Sequence, residues 1–278
     1  MFTVKIREKA NRTAKPLRLL SIISIAALAL ILAAATPQVW AQDPEFEEGE
    51  IFFELNNTDG DLGIHGLIDG GSWKEVWIKD PARRTLLNVV AKTRLRNQAM
   101  TELSFESAEP PFDELDPEAF FRRFKEGEYT IYGRSQDDIV FSTTTEVTHV
   151  MPAPADGIKL NGTPINLGDV DCEDEGTIPE VEGDTVTISW NPVTESHPTI
   201  GKEGDVEIVN YEVAVEVEVG EEGDEFISVF DVILPPGVTS ITIPEEFLEL
   251  GDEFKYEILA REESFNQTAV ESCFVLAE

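Results

Sequence analysis

The chain has 278 residues, 27% of them charged, and its 55 acidic against 21 basic side chains give a formal net charge of −34. That balance repels nucleic acid and anionic membrane surfaces, which leaves cations, basic proteins or neutral polymers as partners. With 41% apolar residues the chain has the material for packed cores, so disorder throughout is excluded.

Residues 1–18 carry Lys5, Arg7, Lys9, Arg12, Lys15 and Arg18 against one acid, Glu8; an apolar run follows from Leu19 to Thr36, and then Val39-Trp40-Ala41. A basic head, an apolar middle and a small residue at the exit predict a secretory signal peptide over residues 1–41, cleaved after Ala41. No cysteine stands at the cleavage point, which argues against a lipoprotein. An uncleaved anchor is the competing reading, because the run is near the ~18-residue lower bound for crossing a bilayer. No other segment is apolar enough to span a membrane, so none is expected to hold the chain there after cleavage. The protein is expected to be secreted, periplasmic or at the cell surface. Losing six basic residues and one acid takes the remaining chain to a net charge of −39.

From about Glu50 to Val150 apolar and polar residues alternate over short runs. Ile51, Phe53 and Leu55 alternate before Asn56-Asn57-Thr58-Asp59-Gly60-Asp61, and Leu62, Ile64 and Ile68 alternate after it. Asn, Asp and Gly are what a hairpin connection needs at its left-handed positions, so this stretch predicts a turn. Calcium is the alternative, held through Asn57, Asp59 and Asp61. An EF-hand alignment fails, because placing Gly60 sixth puts Leu55 first, where an acid is required. No other cofactor is expected.

Further strands are predicted at Trp73–Lys79, Thr85–Ala91, Thr101–Ser107, Glu128–Gly133 and Ile139–His149, with Asp80-Pro81 as a hairpin turn. One helix is expected over residues 117–126. Asp116 suits the N-cap, Pro117 the first turn, and Phe120, Phe121 and Phe124 one apolar stripe, with Gly127 as the stop. Met151-Pro152-Ala153-Pro154-Ala155 is a proline-rich break and marks the predicted domain boundary. Beyond it Val186, Ile188 and Trp190 alternate, and Val209 to Val219 places Val209, Tyr211, Val213, Val215, Val217 and Val219 on one face with acids on the other. The reading is all-β: two antiparallel sandwiches in tandem, residues 42–150 with the covering helix and residues 151–278. The second holds four basic and 31 acidic residues, most of the excess acid.

The second half resembles a fibronectin type III domain over roughly residues 155–277. The resemblance rests on Trp190, on Tyr211, and on Phe247-Leu248-Glu249-Leu250-Gly251-Asp252-Glu253-Phe254 leading into Lys255–Ala260. It implies a seven-stranded sandwich serving as a spacer or binding module outside the cytoplasm, with no catalysis. Two departures stand out: Phe254 occupies the place of the family's corner tyrosine, and Asn166–Gly183 is long and acidic for a first strand. No Arg-Gly-Asp tripeptide is present. The whole chain also looks like bacterial exported proteins of unassigned function that pair a β domain with this module. The two cysteines, Cys172 and Cys273, are both in this half. An even count in an oxidising compartment predicts one disulfide between them, near the start and in the last strand of the sandwich.

For chemistry, His65, His149 and His197 are widely spaced, and no nucleophile turn or zinc-ligand spacing occurs. A secreted hydrolase with a carboxylate pair is an alternative in which the pair cannot be singled out among so many acids. Trp73 and Trp77 are four apart, so in one strand they would share a face and could stack on sugar rings; filling the core is the competing reading. Arg83, Arg84, Lys92, Arg94 and Arg96 are expected in adjacent strands, where they could dock the acidic half. The expected role is a non-enzymatic interaction or spacer protein whose partner is a protein or polysaccharide at the cell surface.

Overall fold

A computed structural model describes residues 44–220 and 226–277. The predicted signal segment and its cleavage point at Ala41 lie outside the described residues. The described residues belong to one compact unit.

The first two strands, β1 (Phe46–Asn56) and β2 (Asp61–Trp73), form the predicted hairpin, in register from Asn56 opposite Asp61 back to Phe46 opposite Gly70, with one shift between Phe46 and Glu48. Its turn is closed by the Asn56 side chain, whose Oδ1 accepts from the backbone N–H groups of Thr58 and Asp59 at 3.0 and 3.1 Å. Gly60 ends the turn at φ +70°, a left-handed angle that favours glycine. Ile51, Phe53, Leu55, Leu62, Ile64 and Ile68 all point inward from this hairpin into one core.

β3 (Glu75–Lys79) and β4 (Thr85–Val90) follow, joined through Asp80, which takes both the backbone N–H and the guanidinium Nε of Arg84 on its carboxylate. A short helix, α1 (Thr93–Gln98), then precedes β5 (Met100–Glu106). It buries no residue and has no side-chain cap, so neither of the usual sequence signals marks it. Lys92, Arg94 and Arg96 therefore sit at or on this exposed helix, and Arg83 and Arg84 in the β3–β4 turn, rather than on adjacent strands.

The predicted helix is α2 (Pro117–Arg123), capped by Asp116 Oδ1 accepting from Ala119 N at 2.8 Å. It ends at Arg123, short of residue 126, because the next residues serve the sheet. The Tyr129 hydroxyl takes the Lys125 carbonyl at 2.9 Å, and Glu126 accepts from His149 N at 2.9 Å. The Phe120, Phe121 and Phe124 rings surround Phe53 at 5.4, 5.6 and 6.3 Å between centroids. β6 (Gly127–Arg134) and β7 (Val140–Val147) complete a sheet in the order β4-β3-β6-β7.

In the second half β8 (Lys159–Leu160), β9 (Thr163–Pro164), β10 (Glu180–Val181) and β11 (Val186–Ser189) are short, whereas β12 (Ile208–Val219) and β13 (Phe226–Leu234) are long. β14 (Ser240–Ile243), the one-turn helix α3 (Glu245–Leu248), β15 (Glu253–Glu262) and β16 (Gln267–Leu276) close the chain. β14-β11-β8-β9 is one sheet. On β12, Tyr211, Val213, Val215 and Val217 point inward as predicted, but Val209 does not. A register shift between Ile208 and Asn210 turns Ile208 in and Val209 out. The core of this half also takes Trp190, whose ring meets Tyr211 edge-on at 5.3 Å, and Phe254 stacked on Phe274 at 5.1 Å. A disulfide joins Cys172 to Cys273 with 5.9 Å between Cα atoms, tying the acidic loop to β16.

The third sheet runs through both halves in the order β13-β12-β15-β16-β1-β2-β5, with β10 beside the end of β16 as its eighth strand. Its join is parallel: Glu54, Leu55 and Asn56 of β1 lie opposite Gln267, Thr268 and Ala269 of β16. Asn266, 1% exposed, holds this join. Its Oδ1 accepts from Phe53 N at 2.8 Å, and its Nδ2 donates to the Thr148 and Val150 carbonyls at 3.1 and 2.8 Å. Two ion pairs also link the halves, Arg261 with Glu50 and Lys202 with Glu126. In both, the base comes from the second half and the acid from the first, the reverse of docking through the basic residues of the first half.

Candidate functional site

Because alternate residues of a strand face opposite ways, each strand of the long sheet that sends apolar side chains into a core sends the intervening ones to the other face. Register then decides which of these meet. On β12 they are Glu212 and Glu216; opposite Ala214 stands Glu257 of β15, and opposite Glu257 stands Glu271 of β16. Across the parallel join come Glu54 and Asn56 of β1, then His65 and Asp61 of β2 and Glu106 of β5. The result is a wall of carboxylates six strands wide, facing away from both cores.

The wall is partly dry, since Phe52 and Leu259 on the same face are only 8% and 5% exposed. Arg261 lies over the Phe52 ring at 4.6 Å, and the His65 ring stacks on Phe52 at 5.4 Å between centroids. Hydrogen bonds hold several acids in place: Gln267 Nε2 donates to Glu54, and Asn56 Nδ2 donates to Glu271 at 2.5 Å. His65 Nε2 meets Glu109 at 2.9 Å, and its Nδ1 stands 3.9 Å from Glu54.

Crowding and burial act in the same direction on these acids. Burial first, then the charges of Glu54, Glu271, Glu212 and Glu216, push Glu257 up to about 8. Burial and neighbouring Asp231 push Glu212 up to about 7, and burial with Glu109 and Asp59 pushes Asp61 up to about 6. Glu54 and Glu271 are raised as well, chiefly by burial. For His65 burial alone would lower the imidazole, but the Glu109 hydrogen bond and the Glu54 charge outweigh it and raise it. A face of this kind takes up protons as the pH falls through the neutral range.

Of the residues singled out in the sequence, Asp61 joins this wall, while Asp59 stands in the turn beside it. Asn57 does not turn toward them with a free oxygen: its Oδ1 meets His197 Nε2 at 3.1 Å. Among the described residues no three His, Cys, Asp or Glu side chains converge as a metal would require.

Trp73 and Trp77 do not form an exposed pair. β2 ends at Trp73 and β3 begins at Glu75, so the alternation is broken between them. Trp73 is fully buried in the first core, while Trp77 stays half-buried on the outer face of its sheet. The partner of Trp77 is Tyr132, directly opposite on β6, with ring planes 6° apart and centroids 5.1 Å apart. Arg134 lies over Trp77 at 5.5 Å and Lys79 over Tyr132 at 5.9 Å, so this ladder already occupies its own aromatic faces.

No family model matches the chain, and no curated protein matches it. Among solved structures, a tetra-tandem repeat in the extending region of a large adhesion protein matches at TM-score 0.24 and 14% identity, over 83% of this chain and 50% of that one. The BSP domain of a biofilm-associated protein matches at TM-score 0.24 and 12% identity, over 84% of this chain and 30% of that one. A structure concerned with host cell surface retention of a 1.5-MDa bacterial ice-binding adhesin matches at TM-score 0.22 and 12% identity, over 84% and 64%. In each case the match spans less than two thirds of the other chain.

Proposed function

We propose that this is an exported, non-enzymatic spacer or interaction protein acting at the cell surface or outside the cell. In this reading residues 42–150 form a β domain and residues 151–278 a fibronectin type III-like module. The order β14-β11-β8 set against β13-β12-β15-β16 supports that module. One observation carries the role: the parallel join of β1 and β16. The two strands overlap only at Glu54–Asn56 and Gln267–Ala269, so β1 approaches from one side and β16 leaves on the other. At ~3.3 Å per residue, Phe46 and Leu276 are separated by up to about 55 Å along the strand direction. A unit whose β1 begins at one end of the sheet and whose parallel β16 ends at the other suits an elongated spacer. The disulfide supports an oxidising compartment and agrees with the export signal read from residues 1–41.

Protease shaving of intact cells carrying a C-terminally tagged chain tests this, together with N-terminal sequencing and turnover assays on a polysaccharide panel. The expected result is a tag cleaved from outside, a mature N-terminus at Gln42 and no turnover. A protected tag on a chain that still carries residues 1–41 would overturn export; turnover abolished by changing one carboxylate would overturn the non-enzymatic role.

A further inference from the structure

β13 is the outermost strand of the long sheet, and among the described residues nothing pairs with its outer edge. An open edge is a template for another strand, and soluble proteins guard such edges with Lys, Pro, bulges or short length. β13 has none of these: it pairs with β12 over nine residues, Tyr211 opposite Leu234 through Val219 opposite Phe226, with no register shift. Its sequence, FISVFDVIL, holds one charged residue, Asp231, in a chain that is 27% charged. Phe226, Ile227, Val229 and Ile233 are 60%, 62%, 49% and 65% exposed.

We propose that this edge is a homodimer interface, in which β13 pairs antiparallel with β13 of a second copy about a two-fold axis at Phe230. The strand complements itself in that register. Ile227 meets Ile233 of the other copy, Phe226 meets Leu234, Ser228 meets Val232, and Phe230 meets itself. The charges agree with this occupant. Asp231 falls opposite Val229, so the two aspartates are diagonal neighbours roughly 7–8 Å apart rather than directly opposed, a repulsion that added salt reduces. The acids of β12, Glu212, Glu216 and Glu218, come no nearer to those of the other copy than three strand spacings, about 14 Å. That exceeds the Debye length of about 8 Å at physiological salt, so the repulsion of two acidic chains is largely screened there. A single-strand interface falls at the small end of the size range, below about 1,200 Å², where weak and transient pairs are found. Pairing about a two-fold axis also closes the assembly at two copies, because it uses the β13 edge of both.

Sedimentation of the mature chain, residues 42–278, between 5 and 200 µM tests the proposal. The native chain is expected to pass from monomer to dimer, and to do so at least several-fold more tightly at 150 mM than at 20 mM salt. Two double variants then test the register: Ile227→Lys with Ile233→Lys, and Ile227→Glu with Ile233→Glu. Each places like charges opposite one another and is expected to be monomeric; because Ile227 and Ile233 stand opposite Glu218 and Glu212 on β12, thermal unfolding should be slightly higher for the Lys variant and slightly lower for the Glu variant, with both still folded. Mixed one to one, Lys meets Glu at both positions and dimers are expected to return. A native chain that stays monomeric at 200 µM and 150 mM salt would overturn the proposal. So would double variants that dimerise like the native chain, or a mixture that associates no better than either variant alone.

Discussion

Glu257 is the acid most strongly opposed by its surroundings, and Glu257→Gln keeps its shape while removing its charge. In the unfolded chain a glutamate gives up its proton near 4.5; in the folded chain burial and the four surrounding glutamates hold that proton until about 8. The folded state therefore binds more protons than the unfolded one between those values, and stability falls as the pH rises through that window. At about 1.4 kcal/mol per unit, the cost is near zero at pH 4.5, about 3 kcal/mol at pH 7, and levels off near 5 kcal/mol above pH 8. Glutamine carries none of it. Urea unfolding followed by tryptophan fluorescence at pH 5, 7 and 9 should find the variant and the native chain nearly equal at pH 5. The variant should then lead by a margin that grows to several kcal/mol at pH 9. The native chain by itself should be more stable at pH 5 than at pH 8, since Glu212, pushed up to about 7, acts in the same sense. A difference that stays flat with pH, or a variant less stable at pH 9, would refute the account of the acidic face.

Asn266→Ala leaves the Phe53 N–H and the Thr148 and Val150 carbonyls at the join without their partner. At about 1–3 kcal/mol for each buried group left unsatisfied, a loss of roughly 3–5 kcal/mol is expected in the denaturant midpoint. Although Asn266-Gln267-Thr268 has the form of a glycosylation site, its asparagine is 1% exposed, and peptide mapping of folded protein should find it bare. Trp73→Ala should cost about 3–5 kcal/mol as a core truncation, whereas Trp77→Ala on the outer ladder should cost about 1 kcal/mol, read by thermal unfolding. Replacing both Cys172 and Cys273 by serine opens a loop with a sequence separation of 101 and should cost up to about 4.7 kcal/mol. A non-reducing peptide map of native protein should show the two cysteines linked.

The parts legible in the sequence are those whose cause is local. The β1–β2 hairpin follows from Asn56, Asp59 and Gly60 between two alternating runs, because turn chemistry and period-two burial act over a few residues. The start of α2 follows from Asp116 and Pro117 for the same reason. Its end did not, because Lys125 and Glu126 are claimed by Tyr129 and His149 from the sheet. The tryptophan pair misled because period two counts only within an unbroken strand, and the break at Lys74 lies between Trp73 and Trp77. Tyr132, the residue that does stand beside Trp77, is 55 positions away and is brought there only by β3–β6 pairing.

The acidic wall marks the same division. Alternation along β12 was enough to say that Glu212, Glu216 and Glu218 face away from the core. That they stand in one field with Glu257, Glu271 and Glu54 depends on which strands are neighbours, and above all on the parallel contact of β1 with β16. The residues in that contact, Glu54 and Gln267, are 213 positions apart, and no periodicity or turn signal records a pairing over such a distance. By itself the sequence determined the β1–β2 hairpin, the inward face of β12 from Tyr211 to Val217 with acids on its other side, and the capped start of α2, all consequences of near neighbours. Only the tertiary structure decided that one sheet runs through both halves, because strand order is chosen by the burial of whole faces and the pairing of distant backbone.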